Sequence, residues 1–194
     1  MIILILFLVL AFTACNKKEI IIQPPPQPPP QMRYTNLDNI AVKFGQHKIL
    51  DIDGNNTPDL LFSTILVGDP VLRRDRRQYY VNAAFDVFSL VNGQEQTPAL
   101  NSGDAITLND HPGFNWFNAS SVVLAEKIIE ETGPDHWEGN WKNADHKFIP
   151  VQVRKNDLRY NGWVEASFKT DTGELVLHRA AISIEAGKTI KAGQ

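Results

Sequence analysis

The sequence predicts a mainly β protein, with a single antiparallel, jelly-roll-like β-sandwich and at most one short helix. After residue 31, short runs of residues alternate between apolar and polar side chains, the two-residue period of a half-buried strand. Turn-forming residues separate these runs, a pattern typical of antiparallel sandwiches. Residues 32–194 are enough for one domain with its own core.

Seven alternating runs are predicted to form strands. In chain order they cover residues 40–44, 48–51, 60–67, 79–87, 148–154, 162–168 and 174–182. Turn signals are predicted at residues 91–93, 155–157 and 170–173. The last of these contains Asp171-Thr172-Gly173 between two alternating runs, which predicts a hairpin with a glycine bulge.

Two segments are less regular. Residues 122–131 follow Ser120-Ser121, a candidate N-cap, and stop before Gly133-Pro134. Their apolar spacing fits a helix and also a buried strand, and the flanking signals favour a short helix. The basic segment Arg73-Arg74-Asp75-Arg76-Arg77 is interpreted as a solvated loop, the alternative being an anion-binding patch.

The N-terminal segment predicts export. Residues 1–14 are apolar apart from Thr13, and the run is shorter than the ~20 residues of a membrane-spanning helix. It matches the apolar core of a signal peptide. Phe12-Thr13-Ala14-Cys15 resembles the lipobox of bacterial lipoproteins, with Phe12 in place of the usual leucine. The resemblance implies cleavage before Cys15 and acylation of that cysteine.

This export and lipidation signal would place the protein in the bacterial cell envelope, where it would be attached to a membrane and face the periplasm or the cell surface. The alternatives are a plain N-terminal membrane anchor or a signal peptide without lipid. Cys15 is the single cysteine of the chain, so no internal disulfide can form. Several acyl chains on one residue would give durable anchoring, because each buried CH₂ contributes about 0.8 kcal/mol.

A proline-rich tether joins Cys15 to the domain and occupies residues 15–31. Residues 23–31 contain two runs of three prolines, which fix φ and lack N–H donors. They predict a polyproline II spacer of about 28 Å at a rise of ~3.1 Å per residue. The alternative is a proline motif recognised by a partner.

The charge balance argues against nucleic acid as a partner. The whole chain carries a formal net charge of -3; the charges of Lys17, Lys18 and Glu19 sum to +1, which leaves -4 for the domain. Affinity for nucleic acid depends on neutralising phosphates with basic side chains. A mildly acidic domain is therefore a poor general ligand for it.

One segment predicts a metal site. In residues 51–62, oxygen-bearing side chains fall at loop positions 1, 3, 5, 7 and 9: Asp51, Asp53, Asn55, Thr57 and Asp59. Ca²⁺ prefers six to eight oxygen ligands, which three carboxylates, the Asn55 amide oxygen, the Thr57 backbone carbonyl and water would supply. The alternatives are a metal-free turn rich in Asp and Asn and a catalytic use of the carboxylates.

The position-12 residue of this loop is Phe62 rather than the bidentate glutamate of an EF-hand. The segment instead resembles the calcium loops of FG-GAP and related β-rich extracellular repeats. That resemblance implies Asp51, Asp53, Asn55 and Asp59 as Ca²⁺ ligands before an apolar strand. Asn56 replaces the usual second glycine, and asparagine tolerates the left-handed conformation better than most residues.

Three tryptophans in turn-rich context, Trp116, Trp137 and Trp141, are a candidate ligand platform, because exposed indole faces stack on sugars. The alternative is packing in the core. The stretch from Trp137 to Gly193, which includes Tyr160-Asn161-Gly162-Trp163, looks like the end of a recurring class of uncharacterised secreted bacterial β-domains. This resemblance implies fold and export and no particular activity.

No sequence motif assigns catalysis. The five histidines form no His-Glu-x-x-His pattern, and Gly-x-Ser-x-Gly and phosphate-loop motifs are absent. We therefore expect a non-enzymatic binding module whose partner is a glycan or an envelope protein. The alternative is a glycan-active hydrolase, which would place two carboxylates roughly 5–9.5 Å apart across a cleft, or a carbohydrate-binding domain.

Overall fold

A computed structural model describes residues 28–118 and 121–194. The regular secondary structure of these residues consists entirely of β-strands. The thirteen strands are β1 (Met32–Lys43), β2 (Lys48–Leu50), β3 (Leu60–Asp69), β4 (Arg74–Ala83), β5 (Val87–Val91), β6 (Ala105–Ile106), β7 (Asn115–Phe117), β8 (Val122–Glu130), β9 (His136–Glu138), β10 (Lys147–Lys155), β11 (Leu158–Lys169), β12 (Glu174–Ser183) and β13 (Ile190–Lys191). None of the described residues belongs to a helix that could cross a membrane. The predicted signal segment 1–14, Cys15 and the tether up to residue 27 lie outside the described residues.

Eleven of the thirteen strands form two packed sheets, and β6 and β13 form a separate pair. A six-stranded sheet has the order β1-β12-β11-β10-β5-β7, and a five-stranded sheet has the order β2-β3-β4-β8-β9. The paired strands run antiparallel within both sheets. The predicted mainly β class and antiparallel sandwich are therefore confirmed.

The main core lies between these sheets. Its buried side chains come from both, including Phe62 and Tyr79 from one sheet and Val164 and Leu177 from the other. Neighbouring residues on a strand face opposite sides, so the residues between these core positions on β11 and β12 point to the outer face of the six-stranded sheet.

Part of that outer face is covered by a second apolar cluster. Trp163 is fully buried there against Phe148 and Ala181. The short β6–β13 pair contributes Ile106 and Ile190 as a lid. The remaining part of the face, farther along β11 and β12, carries polar side chains.

The short helix expected at residues 122–131 is wrong, because residues 122–130 form β8 between β4 and β9. A bulge explains the misleading pattern. Tyr79 pairs with Ala125 and Tyr80 with Val123, which leaves Leu124 as the extra residue. Leu124 and Ala125 are consequently both buried, and a bulge that breaks strict alternation imitates helical spacing.

The solvated loop expected at residues 73–77 is also wrong for most of its length. β4 begins at Arg74, and cross-strand carboxylates partner the arginines: Arg76 Nε lies 3.5 Å from Glu126 Oε2. Arg77 stacks on the ring of Phe44 at 4.3 Å. Partners on neighbouring strands therefore allow this charged segment to form part of a sheet.

Turns form at both predicted positions of the C-terminal half, but the register of β11 with β12 shifts only between Glu165 and Ala166, so the expected glycine bulge at residues 170–173 is absent. Asn156 and Asp157 have φ values of 48° and 62° between the paired residues Lys155 and Leu158, the two left-handed residues of a type I′ turn. Gly173 is also left-handed, with φ of 64°, and closes the β11–β12 hairpin. These turns bring the sequential strands β10, β11 and β12 side by side.

Candidate functional site

The segment between β2 and β3 folds into a closed loop with three carboxylates inside it. The Asp59 N–H donates to the Leu50 carbonyl at 3.0 Å and closes the loop. Asp51, Asp53 and Asp59 each offer a carboxylate oxygen, and these oxygens lie within 4.8 Å of one another. The close approach follows from their spacing in one short loop.

Asp51 organises the loop through backbone hydrogen bonds. Its Oδ1 accepts N–H groups from Gly54 at 2.5 Å and Asn55 at 3.2 Å, and its Oδ2 accepts that of Asn56 at 2.7 Å. Desolvation alone would raise its pKa, but these three donors stabilise the carboxylate and lower the pKa overall. Asn56 adopts φ of 66°, so it takes the left-handed conformation of the glycine that it replaces.

Asp59 is buried, as is Asp53, whereas Asp51 is half-buried. Asp59 Oδ2 accepts the N–H groups of Ile52 at 2.8 Å and Asp53 at 3.3 Å. Burial raises the pKa of Asp59, and the negative charges of Asp53 and Asp51 raise it further. Positive charge at this position would relieve that repulsion.

Two basic side chains approach Asp53. Lys155, the last residue of β10, places Nζ 2.6 Å from Asp53 Oδ2, and the Asp53 side chain is only 2% exposed. Arg33 of β1 donates from Nη1 to the Asp53 carbonyl at 2.8 Å. The structure thus compensates part of the carboxylate charge with side chains from the opposite sheet.

The other two predicted ligands are oriented differently. Asn55 Oδ1 accepts the Thr57 N–H at 2.6 Å, while Asn55 Nδ2 donates to Asp53 Oδ2 at 3.2 Å. Thr57 is exposed at the outside of the loop. The three carboxylates converge, while the Asn55 amide oxygen and the Thr57 backbone carbonyl stay predicted ligands.

The carboxylate group fits a calcium ion. Ligand oxygens 2.3–2.6 Å from a Ca²⁺ centre are at most about 5.2 Å apart, and the three carboxylate oxygens lie within 4.8 Å of one another. Burial and the negative charges of Asp53 and Asp51 raise the pKa of Asp59, and a bound cation would offset the charge repulsion. Full coordination would require the Lys155 ammonium to move away from Asp53 Oδ2.

A cavity of about 620 Å³ borders this loop. Asp53 and Asn55 form part of its wall, and Phe85, which is 79% exposed, lies at its rim. Arg154 crosses the same wall and pairs with Asp86 at 3.0 Å. The loop therefore adjoins a concave surface with an aromatic side chain and charges of both signs.

The three candidate platform tryptophans do not form one surface. Trp141 is fully buried in the main core, so its faces cannot reach a ligand. Trp137 packs on Phe168 in an edge-on contact at 5.0 Å. Trp116 packs against the second cluster and donates from Nε1 to the Thr107 carbonyl.

Sequence reasoning missed a polar cluster on the outer face of the six-stranded sheet. Glu165 Oε1 lies 2.7 Å from His146 Nδ1, and its other oxygen pairs with Arg179. Burial raises the pKa of Glu165, but hydrogen bonds and positive charge from Arg179 and His146 lower it overall. The His146 ring stacks on that of His178 with centroids 4.1 Å apart.

These residues carry no short-range motif, because their separation in sequence is large. Strand pairing brings them together. The pairing of β11 with β12, if predicted from the sequence, would have identified only the Glu165–Arg179 pair.

No family model, no curated protein and no solved structure matches the chain.

Proposed function

We propose that this protein is a lipid-anchored domain of the bacterial cell envelope that binds an envelope component and contains a structural calcium loop at residues 51–59. The observation that carries the calcium assignment is the convergence of the Asp51, Asp53 and Asp59 carboxylates within 4.8 Å. These residues would hold the ion. When bound, the ion would supply positive charge that offsets their mutual repulsion.

The role of the ion would be to stiffen the loop. Backbone N–H groups already fix Asp51 and Asp59, so binding needs little rearrangement of these two residues. Asp53 belongs both to the carboxylate group and to the cavity wall that carries Phe85. Calcium binding would therefore order the surface that receives the partner, and the ion itself would perform no chemistry.

The partner that fits this surface best is a polar polymer such as an envelope glycan. Phe85 presents an exposed aromatic ring, and Arg154 lies 5.9 Å from its centroid, so an apolar sugar face and polar hydroxyl groups would both find contacts there. An envelope protein is the alternative partner. The formal net charge of -3 favours neither nucleic acid nor an anionic polymer.

Attachment through Cys15 is part of this proposal. It is supported by the lipobox-like residues before that cysteine and by the proline-rich spacer after it. Expression of the chain in bacteria grown with an alkyne fatty acid should label the wild-type protein and leave Cys15→Ser unlabelled. A Cys15→Ser protein that is still labelled and still fractionates with membranes would contradict the lipid attachment.

Calcium binding is tested by titration calorimetry on chelator-treated protein. We expect one Ca²⁺ per chain for the wild type and a loss of at least tenfold in affinity for Asp59→Asn. Asp104→Asn is a matched control, because the Asp104 carboxylate accepts a backbone N–H from Asn101 at 2.7 Å in a different turn. The absence of calcium-dependent heat, or equal affinity in both variants, would contradict the site.

Glycan binding is tested separately with purified peptidoglycan in a sedimentation assay. Phe85→Ala should reduce the bound fraction, whereas Phe117→Ala, which removes another exposed ring, should leave it unchanged. Equal binding by both variants would show that the cavity beside the loop is not the contact surface.

A further inference from the structure

Paired bulges on the outer face of the six-stranded sheet reorient one histidine. Glu165 pairs with Arg179 and Ala166 with Leu177, which leaves His178 as an extra residue of β12. Leu177 is in the core. His178 and Arg179 both point to the outer face, where His178 contacts Ser167 and Arg179 contacts Glu165. Bulges often occur where a side chain must be redirected near a functional site.

The neighbouring strand β1 is irregular at the same level. Its register with β12 shifts between Asn36 and Ile40, and the intervening Asp38 and Asn39 both have φ of 54°. Left-handed backbone at non-glycine residues is uncommon and concentrates at functional sites. The irregular segment turns the Asn39 side chain toward His178.

Ser167, His178 and Asn39 consequently form a continuous hydrogen-bonded line. Ser167 Oγ lies 2.8 Å from His178 Nε2, and His178 Nδ1 lies 2.6 Å from Asn39 Oδ1. Because an amide oxygen only accepts hydrogen bonds, Nδ1 must carry the ring proton. Nε2 then has a lone pair within reach of the serine hydroxyl and can accept its proton, the arrangement of a nucleophile beside its base.

The surroundings favour a neutral His178. Burial lowers its pKa, and the stacked His146 lowers it further, against the opposing charges of Glu165 and Asp145. His146 is itself paired with Glu165. Ser167 Oγ also donates to Asp145 Oδ1 at 3.1 Å, so this carboxylate and His178 Nε2 are alternative acceptors for the one hydroxyl proton. The backbone N–H of His146 donates to Ser167 Oγ at 2.8 Å.

A cavity gives a substrate access to this line. Its volume is about 530 Å³, and Ser167, His178 and Asn39 all belong to its wall. Lys142 and Lys169 line the same cavity and are the cationic donors that it offers to a negatively charged oxygen. The wall exposes polar and apolar surface in similar amounts, which suits a short acyl group on a polar alcohol.

We propose that this cavity is a hydrolytic site for short-chain carboxylic esters, with Ser167 as nucleophile, His178 as general base and Asn39 as the residue that orients the base. The assignment is independent of the calcium loop and adds a chemical activity to the proposed binding role. It differs from a glycan hydrolase because the bond that breaks is an ester bond rather than a glycosidic bond.

The reaction balances with water as the second substrate. Ser167 Oγ bonds to the carbonyl carbon, its proton passes to His178 Nε2, and the carbonyl electron pair moves to oxygen. Return of that pair expels the alcohol oxygen, which takes the proton from Nε2 and leaves an acyl ester on Ser167. Water then attacks this ester with the same base, releasing the carboxylic acid and restoring the serine hydroxyl.

The decisive test is covalent labelling of the full chain by a fluorophosphonate, followed by peptide mass spectrometry. We expect the adduct on Ser167, no adduct there in Ser167→Ala, and labelling slowed by about a hundredfold or more in His178→Ala, the usual contribution of a general base. Ser183→Ala is the matched control, since Ser183 is a buried serine of β12 bonded to the Glu185 carbonyl.

Two further readouts separate catalysis from a structural role. The labelling rate of the wild type should rise with pH as His178 loses its proton, and this dependence should disappear in His178→Ala. Hydrolysis of p-nitrophenyl acetate should fall in parallel with labelling. The proposal would be overturned by an adduct on another residue, by no adduct, or by a labelling rate that the loss of His178 does not change. If a variant fails to fold, the position of the adduct on the wild-type protein still tests the proposal.

Discussion

Replacement of Lys155 by methionine tests whether its ammonium occupies the place of a cation in the carboxylate loop. Nζ lies 2.6 Å from Asp53 Oδ2; the Asp53 side chain is 2% exposed and that of Lys155 is 39% exposed. A hydrogen bond between charged groups contributes about 1.5–3 kcal/mol, and solvent around the lysine reduces this contribution. We therefore expect Lys155→Met to lose about 1–2 kcal/mol in chelator.

For a domain of this size, 1 kcal/mol corresponds to about 2–4 °C in melting temperature, so Lys155→Met should melt about 2–8 °C below the wild type in chelator. Calcium should narrow this difference, because the bound ion replaces the ion pair in the wild type. An ion at a hundred times its Kd contributes about 2.7 kcal/mol, and the variant no longer has an ammonium that competes with the ion. The rise in melting temperature on adding calcium should be larger for Lys155→Met than for the wild type.

The assay is thermal unfolding followed by circular dichroism across a calcium series, with Lys191→Met as the control for loss of an exposed lysine. Lys191 lies on β13, away from the loop. If Lys155→Met is as stable as the wild type in chelator, the ion pair does not stabilise the loop. If calcium raises both melting temperatures equally, the lysine and the ion do not compete for Asp53.

Three other changes give measurable outcomes. The folded-state pKa of His178 is lowered from 6.5, because the folded state disfavours the protonated ring. The free energy of unfolding measured in urea should therefore fall as pH drops below about 6.5. His178→Gln should flatten that slope, and an unchanged slope would contradict the assignment. Gly162→Ala would bring Cβ to 2.7 Å from the Ala181 carbonyl oxygen and should cost about 1–3 kcal/mol in chemical unfolding; a neutral result would mean that the strands can separate. Tyr79→Phe removes the 2.7 Å bond to the Gly173 carbonyl and should cost about 0.5–1.5 kcal/mol, with faster amide exchange in the β11–β12 turn as the local readout.

The sequence alone determined features whose causes are local. Alternation along residues 60–67 and 174–182 predicts strands because each residue's side is set by its position in the pleat. The turns at 155–157 and 170–173 follow from residues that accept left-handed backbone. The three carboxylates meet because they occupy one nine-residue segment, so their spacing already limits their separation.

Tertiary structure decided what depends on register and on neighbouring strands. A single extra residue at Leu124 made a strand look helical, since a bulge changes which residues face the core. The approach of Lys155 to Asp53 joins opposite sheets that no sequence spacing relates. In the same way, bulges in β1 and β12 bring Asn39 and His178 to Ser167, because strand pairing, rather than proximity along the chain, sets which side chains meet.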